Sequence, residues 1–154
     1  MFSLDGKTAF VTGASGGIGK AIAVTLHQQG AHVILHGTNQ ARLEALSAEL
    51  TDRNSVLAAD LSDRDAVEAM IPNAAEMAGA VDILVNNAGI TRDNLFMRLK
   101  DEEWDQVLNV NMTSSMILCR AAIRAMMKAR WGRVISISSI VGVTGNPGQT
   151  NYAA

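Results

Sequence analysis

Five short runs of β-branched and aliphatic residues recur along this chain, each separated from the next by a longer stretch. They are residues 7–12 (KTAFVT), 32–36 (HVILH), 55–59 (SVLAA), 81–85 (VDILV) and 133–138 (RVISIS). Between the first two, Ile18, Ile22 and Leu26 fall on one face of a helix ending near Gly30; Leu43, Leu46 and Leu50 line one face of the next. Alternation of this kind implies parallel strands joined by right-handed crossovers in an α/β sheet. VDILV reads as a strand covered on both faces. Thr38 or Asn39 can cap the second helix, and Ser62-Asp63-Arg64-Asp65 reads as a capping box opening the third. Pro72 falls inside that third helix and is expected to kink or shorten it. A long helix is expected over 109–129.

No repeat, linker or break in composition interrupts the pattern, so residues 1–154 read as one domain. A content of 48% hydrophobic and 18% charged residues excludes a disordered chain, and a net charge of −2 offers no general attraction to nucleic acid or anionic membranes. The single cysteine, Cys119, sits in the apolar run MILC and reads as a buried structural thiol in a reducing compartment. The amino terminus lacks the cationic start and apolar core of a secretory signal. No apolar run approaches the ~20 residues that span a bilayer. A cytoplasmic protein is expected, with no metal site and no nucleic-acid or membrane partner; an organelle is left open.

The first run delivers TGASGGIG (12–19) directly into a helix. Glycines let backbone N–H groups approach a pyrophosphate, and a helix amino terminus favours its negative charge. The spacing Gly13-x-x-x-Gly17-x-Gly19 departs from G-x-G-x-x-G. A tight strand–helix turn is the plain alternative, but after the first strand of an alternating chain a nucleotide site is the better expectation. Many dinucleotide sites place a carboxylate ~20 residues further on, against the ribose 2′-hydroxyl. Here that region is His36-Gly37-Thr38-Asn39, with no acid to repel a 2′-phosphate. Thr38 can donate to such a phosphate, and Arg42 either reaches it or is solvated. NADPH/NADP+ is therefore the expected cofactor. Asp60, after the third run, either accepts from an adenine amino group or caps the helix near Ser62.

NNAGI (86–90) follows the fourth run. TGASGGIG, Asp60, NNAG, Asn111, Ser139 and Tyr152 in this order resemble the short-chain dehydrogenase/reductase family over essentially the whole chain. Residues 87–111 and 132–154 look most like its 3-oxoacyl-[acyl-carrier-protein] reductases. The resemblance implies a Rossmann-type doubly wound parallel sheet. It puts Gly13, Ser15, Gly17, Ile18, Gly19, Thr38, Asp60, Leu61, Asn87, Ala88 and Gly89 beside the cofactor. Relatives using NADPH often carry an arginine where this chain has Ser15.

For the chemistry, the resemblance implies that Tyr152 protonates a substrate ketone, Ser139 hydrogen-bonds its oxygen, and Asn111 holds the helix and a proton-supplying water. Taken singly, Ser139 could merely end a strand and Asn111 could mark a helix bend. The family's lysine, four residues past the tyrosine, lowers the phenol pKa from its free value of ~10; position 156 lies beyond this chain. NYAA then reads as half of a Y-x-x-x-K motif. The expectation is an amino-terminal piece, its sheet stopping after about five strands, with little or no activity alone and Tyr152 on a fraying end. RVISIS would be an unprotected sheet edge. An acyl-carrier protein is the implied partner and a homotetramer the implied assembly. Lys128, Arg130 and Arg133 either touch that carrier or complement a helix carboxyl end; Met116, Met126 and Met127 suit a subunit contact or a core. Two rivals stay open, namely an oxidoreductase for another ketone–alcohol pair and a non-catalytic nucleotide-binding protein.

Overall fold

The computed structural model describes residues 3–154; of the domain read as 1–154, the first two residues lie outside the described ones. Its strands are β1 (Thr8–Val11), β2 (His32–Gly37), β3 (Asn54–Ala58), β4 (Ile83–Asn86) and β5 (Arg133–Ser136). They pair in parallel, in the order β3-β2-β1-β4-β5. The helices are α1 (Gly17–Gln28), α2 (Gln40–Leu50), α3 (Arg64–Ala78), α4 (Asp101–Leu108), α5 (Ser114–Ala129), α6 (Val141–Thr144) and α7 (Thr150–Ala153).

Side chains alternate across each strand, so the apolar runs supply two cores. Phe10, Ile34, Leu57 and Leu84 face Val67, Met70 and Ala74 of α3 and Ile117, Leu118 and Ala122 of α5. Val11, Val33, Leu35, Ile83 and Val85 face the other way, against Ala23 of α1 and Leu43, Leu46 and Leu50 of α2. Burial of each large side chain here is worth roughly 1.5–3 kcal/mol. With helices on both faces, this is a doubly wound α/β sheet of the Rossmann type. Its strand order reverses between β1 and β4, and a crevice opens beyond their carboxyl ends.

Several elements differ from the sequence expectation. The third helix is capped by Asp63, whose Oδ1 accepts from the N–H groups of Asp65 (3.0 Å) and Ala66 (3.2 Å), and not by Ser62. Pro72 does not shorten it, because the proline lies on the exposed side while Val67, Met70, Ile71 and Ala74 hold the opposite face in the core. Helical backbone begins at Asp101, ahead of the expected 109. The Glu103 carboxylate accepts from Lys100 N–H (3.0 Å), and acids fill the first turn of α4. A π-helical turn, Asn109–Thr113, then joins α4 to α5. β5 stops at Ser136 and forms one edge of the sheet among the described residues, with Val134, Ile135 and Ile137 exposed. Cys119 is half-buried rather than buried, and its Sγ accepts from Asn86 Nδ2 at 3.4 Å. The methionines divide: Met126 enters the core, whereas Met116 and Met127 stay exposed. No helix among the described residues is long and apolar enough to cross a membrane.

Candidate active site

The crevice is built where the ends of β1 and β4 lock together. The Thr12 hydroxyl accepts from the N–H groups of Asn87 (2.9 Å) and Ala88 (3.0 Å) and donates to the Val85 carbonyl (3.3 Å). Asn87 returns two bonds, its Nδ2 donating to the carbonyls of Thr12 (2.9 Å) and Gly13 (3.3 Å). Gly13 has φ +65°, and a Cβ there would stand 3.0 Å from Ala88 Cα. A Cβ on Gly19 would strike the Gly13 carbonyl, whereas one on Gly17 would meet only open space. Two sequence motifs about 75 residues apart thus form one packed unit beside the amino end of α1.

A cavity of about 580 Å³ opens in front of this unit. Gly13, Ser15, Gly17, Ile18, Gly19, Thr38, Asp60, Leu61, Asn87, Ala88 and Gly89 all line it. Arg42, on the first turn of α2, is not among the lining residues. Asp60 Oδ1 accepts from Ser62 N–H at 2.8 Å, and this bond, with the Ser62 hydroxyl, holds the carboxyl below its usual range. Since Asp63 caps α3, Asp60 serves as a wall residue and a turn former.

The same cavity includes His36, Ser62, Arg92, Gln106 and Val110, none of which the sequence reading placed at the site. His36 is 1% exposed, stacks on Phe10 with ring centroids 5.9 Å apart, and places Nε2 3.2 Å from the Ala59 carbonyl. Burial pushes its pKa down to about 4, so the ring is neutral and Nε2–H donates. Nδ1 is left as a buried acceptor with no partner among the described residues. HVILH offers no signal for this, because the histidine occupies an apolar position of the strand. Arg92 is fixed by Nε donating to Gln106 Oε1 (2.9 Å) and by Nη1 donating to the Thr91 carbonyl (2.8 Å).

A second cavity, of about 770 Å³, shares Ile18, Asn87, Ala88, Gly89 and Ile90 with the first, and its wall contains Asn111, Ser139 and Tyr152. Asn111 lies in the π-helical turn, a device often found at functional sites. Its amide clamps the backbone of Ile90, Oδ1 accepting from the N–H (2.9 Å) and Nδ2 donating to the carbonyl (3.0 Å). Ser139 Oγ accepts from Val141 N–H at 3.1 Å, and its own proton has no acceptor among the described residues. Tyr152 is half-buried in the turn of α7. Asn86, the first residue of NNAG, lines this cavity too, and Ser115 and Ser136 add polar groups that sequence spacing did not reveal.

Residues 7–154 match the profile of a family described as short chain dehydrogenase. The chain is 58% identical over 154 residues to "Nodulation protein G" of Rhizobium sp. (strain N33), covering all of this chain and 63% of that protein. It is 50% identical over 151 residues to a 3-oxoacyl-[acyl-carrier-protein] reductase of Haemophilus influenzae (98% of this chain, 62% of that protein). The figure is 49% over 152 residues for the reductase of the same name from Vibrio harveyi (99% and 62%). The chain therefore spans less than two thirds of the length of these relatives. The parallel β3-β2-β1-β4-β5 sheet, the glycine loop locked onto NNAG and the match over 7–154 lead to one conclusion: this chain belongs to the short-chain dehydrogenase family.

Proposed function

We propose that the chain carries the cofactor-binding and proton-transfer parts of an NADPH-dependent reductase that converts a 3-oxoacyl thioester on acyl-carrier protein to the 3-hydroxyacyl thioester. The carrying observation is the shared wall. Ile18, Asn87, Ala88, Gly89 and Ile90 border both cavities, so a ligand along the glycine loop reaches the wall of Asn111, Ser139 and Tyr152.

The first cavity suits a dinucleotide. Gly17 leaves open space before the amino end of α1, Asp60 offers an acceptor, and no acid follows β2 where a 2′-phosphate would lie. Bound NADPH would supply the hydride to the carbonyl carbon. Tyr152 donates a proton to the carbonyl oxygen. Ser139, its Oγ already taking Val141 N–H, directs its free proton at the same oxygen and stabilises the charge developing there. Asn111, clamped on Ile90, keeps the wall between the cavities in register. A homotetramer belongs to the same proposal, supported by the uncovered Met116, Ile123 and Met127 on α5.

A second reading is a reductase for another ketone–alcohol pair, favoured by the 58% identity to a relative whose name specifies no carrier. A chimera placing these 154 residues before the remaining part of the Haemophilus influenzae relative separates the two. We expect NADPH oxidation with a 3-oxoacyl carrier thioester, little oxidation with NADH, and little or none by the 154-residue chain alone. A chimera that binds NADPH but reduces other ketones in preference would select the second reading. Failure to bind NADPH would remove both.

A further inference from the structure

Asn151, the residue before Tyr152, is 1% exposed although it lies three positions from the end of the described chain. A buried asparagine so placed needs partners, and it has them on a distant segment. Its Nδ2 donates to the carbonyls of Arg92 (2.9 Å) and Glu103 (3.3 Å). Its Oδ1 accepts from Tyr152 N–H at 2.8 Å. One side chain thus joins Tyr152's own backbone to the connection between β4 and α4, through Arg92, and to the first turn of α4, through Glu103. Two neighbouring ties reinforce it: Asn94 N–H donates to the Gly148 carbonyl (2.8 Å), and Gln149 Nε2 to the Asp93 carboxylate (3.1 Å).

We infer that Asn151 is a positioning residue for Tyr152, fastening the tyrosine's backbone to Arg92 and Glu103 and so setting the phenol in the wall of the second cavity. The three bonds fix the start of α7 from the side, through contacts with a segment about fifty residues away in sequence. Aspartate fits the space but replaces the two donated bonds with repulsion between a carboxylate and two carbonyls. Alanine removes all three bonds, including the shorter one to the Arg92 carbonyl. The proton-donating role of Tyr152 rests on the proposed function; its placement by Asn151 does not.

Tyr152 is the chain's single tyrosine, so one ring-labelled residue reports the placement without any turnover. In the 154-residue chain, NMR should show the Tyr152 ring shifted from the free-tyrosine position and the Asn151 side-chain amide protected from solvent exchange. Asn151→Ala and Asn151→Asp should return the ring signal to the free position while the rest of the fingerprint stays dispersed. Gln149→Ala, which cuts an exposed tie, should not. A Tyr152 ring that keeps its shift in both Asn151 variants would overturn the inference. So would an Asn151 amide in the unaltered chain that exchanges at the rate of an exposed side chain, a readout that holds even where a variant fails to fold. Loss of NADPH binding with the ring still shifted would count against the proposed function and leave the tether standing.

Discussion

At the scale of single residues, buried polar atoms do more here than the motifs that announce them. Thr12 looks like the first letter of a glycine loop, yet its hydroxyl serves two N–H groups of the opposite strand end. Thr12→Val keeps the shape and strands both donors. A loss on the order of 2–4 kcal/mol in urea unfolding is expected, and a loss below ~0.5 kcal/mol would mean water replaces the hydroxyl. His36 makes a pH prediction. Unfolded, the imidazole titrates near 6.5; folded, burial holds it at about 4. Between those values the unfolded chain takes up a proton that the folded chain does not. The stabilisation is full above pH 6.5 and declines by about 3 kcal/mol as pH falls to 4. His32, lowered by burial and by the charges of Arg53 and His27, adds to the same slope. Denaturant titrations of His36→Gln across this range should give a flatter profile; an unchanged slope would remove His36 as its source.

At the scale of elements, local signals specified helices well where they recorded backbone chemistry. Asn39 caps α2 as expected, its side chain accepting from Arg42 N–H at 3.0 Å. The misplaced start of α4 had its own signal, an acid-rich first turn with Glu103 three residues after Lys100. Apolar periodicity alone passed over it, because the turn is polar and only Val107 of α4 is buried. Pro72 is the informative failure. It lacks the N–H that would bond the Glu68 carbonyl, but both residues lie on the exposed side of α3, where water reaches that carbonyl. Packing of the opposite face keeps the helix continuous. Pro72→Ala should therefore raise stability by about 1–3 kcal/mol, visible as a higher urea midpoint. A lower midpoint would show that the ring makes contacts the helix needs.

At the scale of the whole molecule, the sheet is covered unevenly. Within residues 3–154, β1, β2 and β4 are enclosed between helices, whereas β5 lies at an edge with Val134, Ile135 and Ile137 each more than 40% exposed. Such an edge offers unpaired backbone groups and apolar side chains to another chain. Ile135→Lys should lower concentration-dependent association in light scattering while the thermal midpoint moves little. Association that persists unchanged would assign it to another face, with the uncovered methionines of α5 next in order.

What the sequence determined by itself was whatever local chemistry encodes. The alternation of strand and helix periods implied a parallel α/β sheet, the glycines marked where backbone must come close, and ordered motifs carried the family resemblance. Tertiary structure decided which of those residues meet. Asn87 reaches Gly13 only because β4 lies beside β1, and Asn111 reaches Ile90 only through a π-helical turn that no residue pattern announces. His36, Arg92 and Asn151 were invisible as site residues for the same reason. Whether a polar side chain is buried, and against which carbonyl, is set by segments tens of residues away, and only packing brings those segments together.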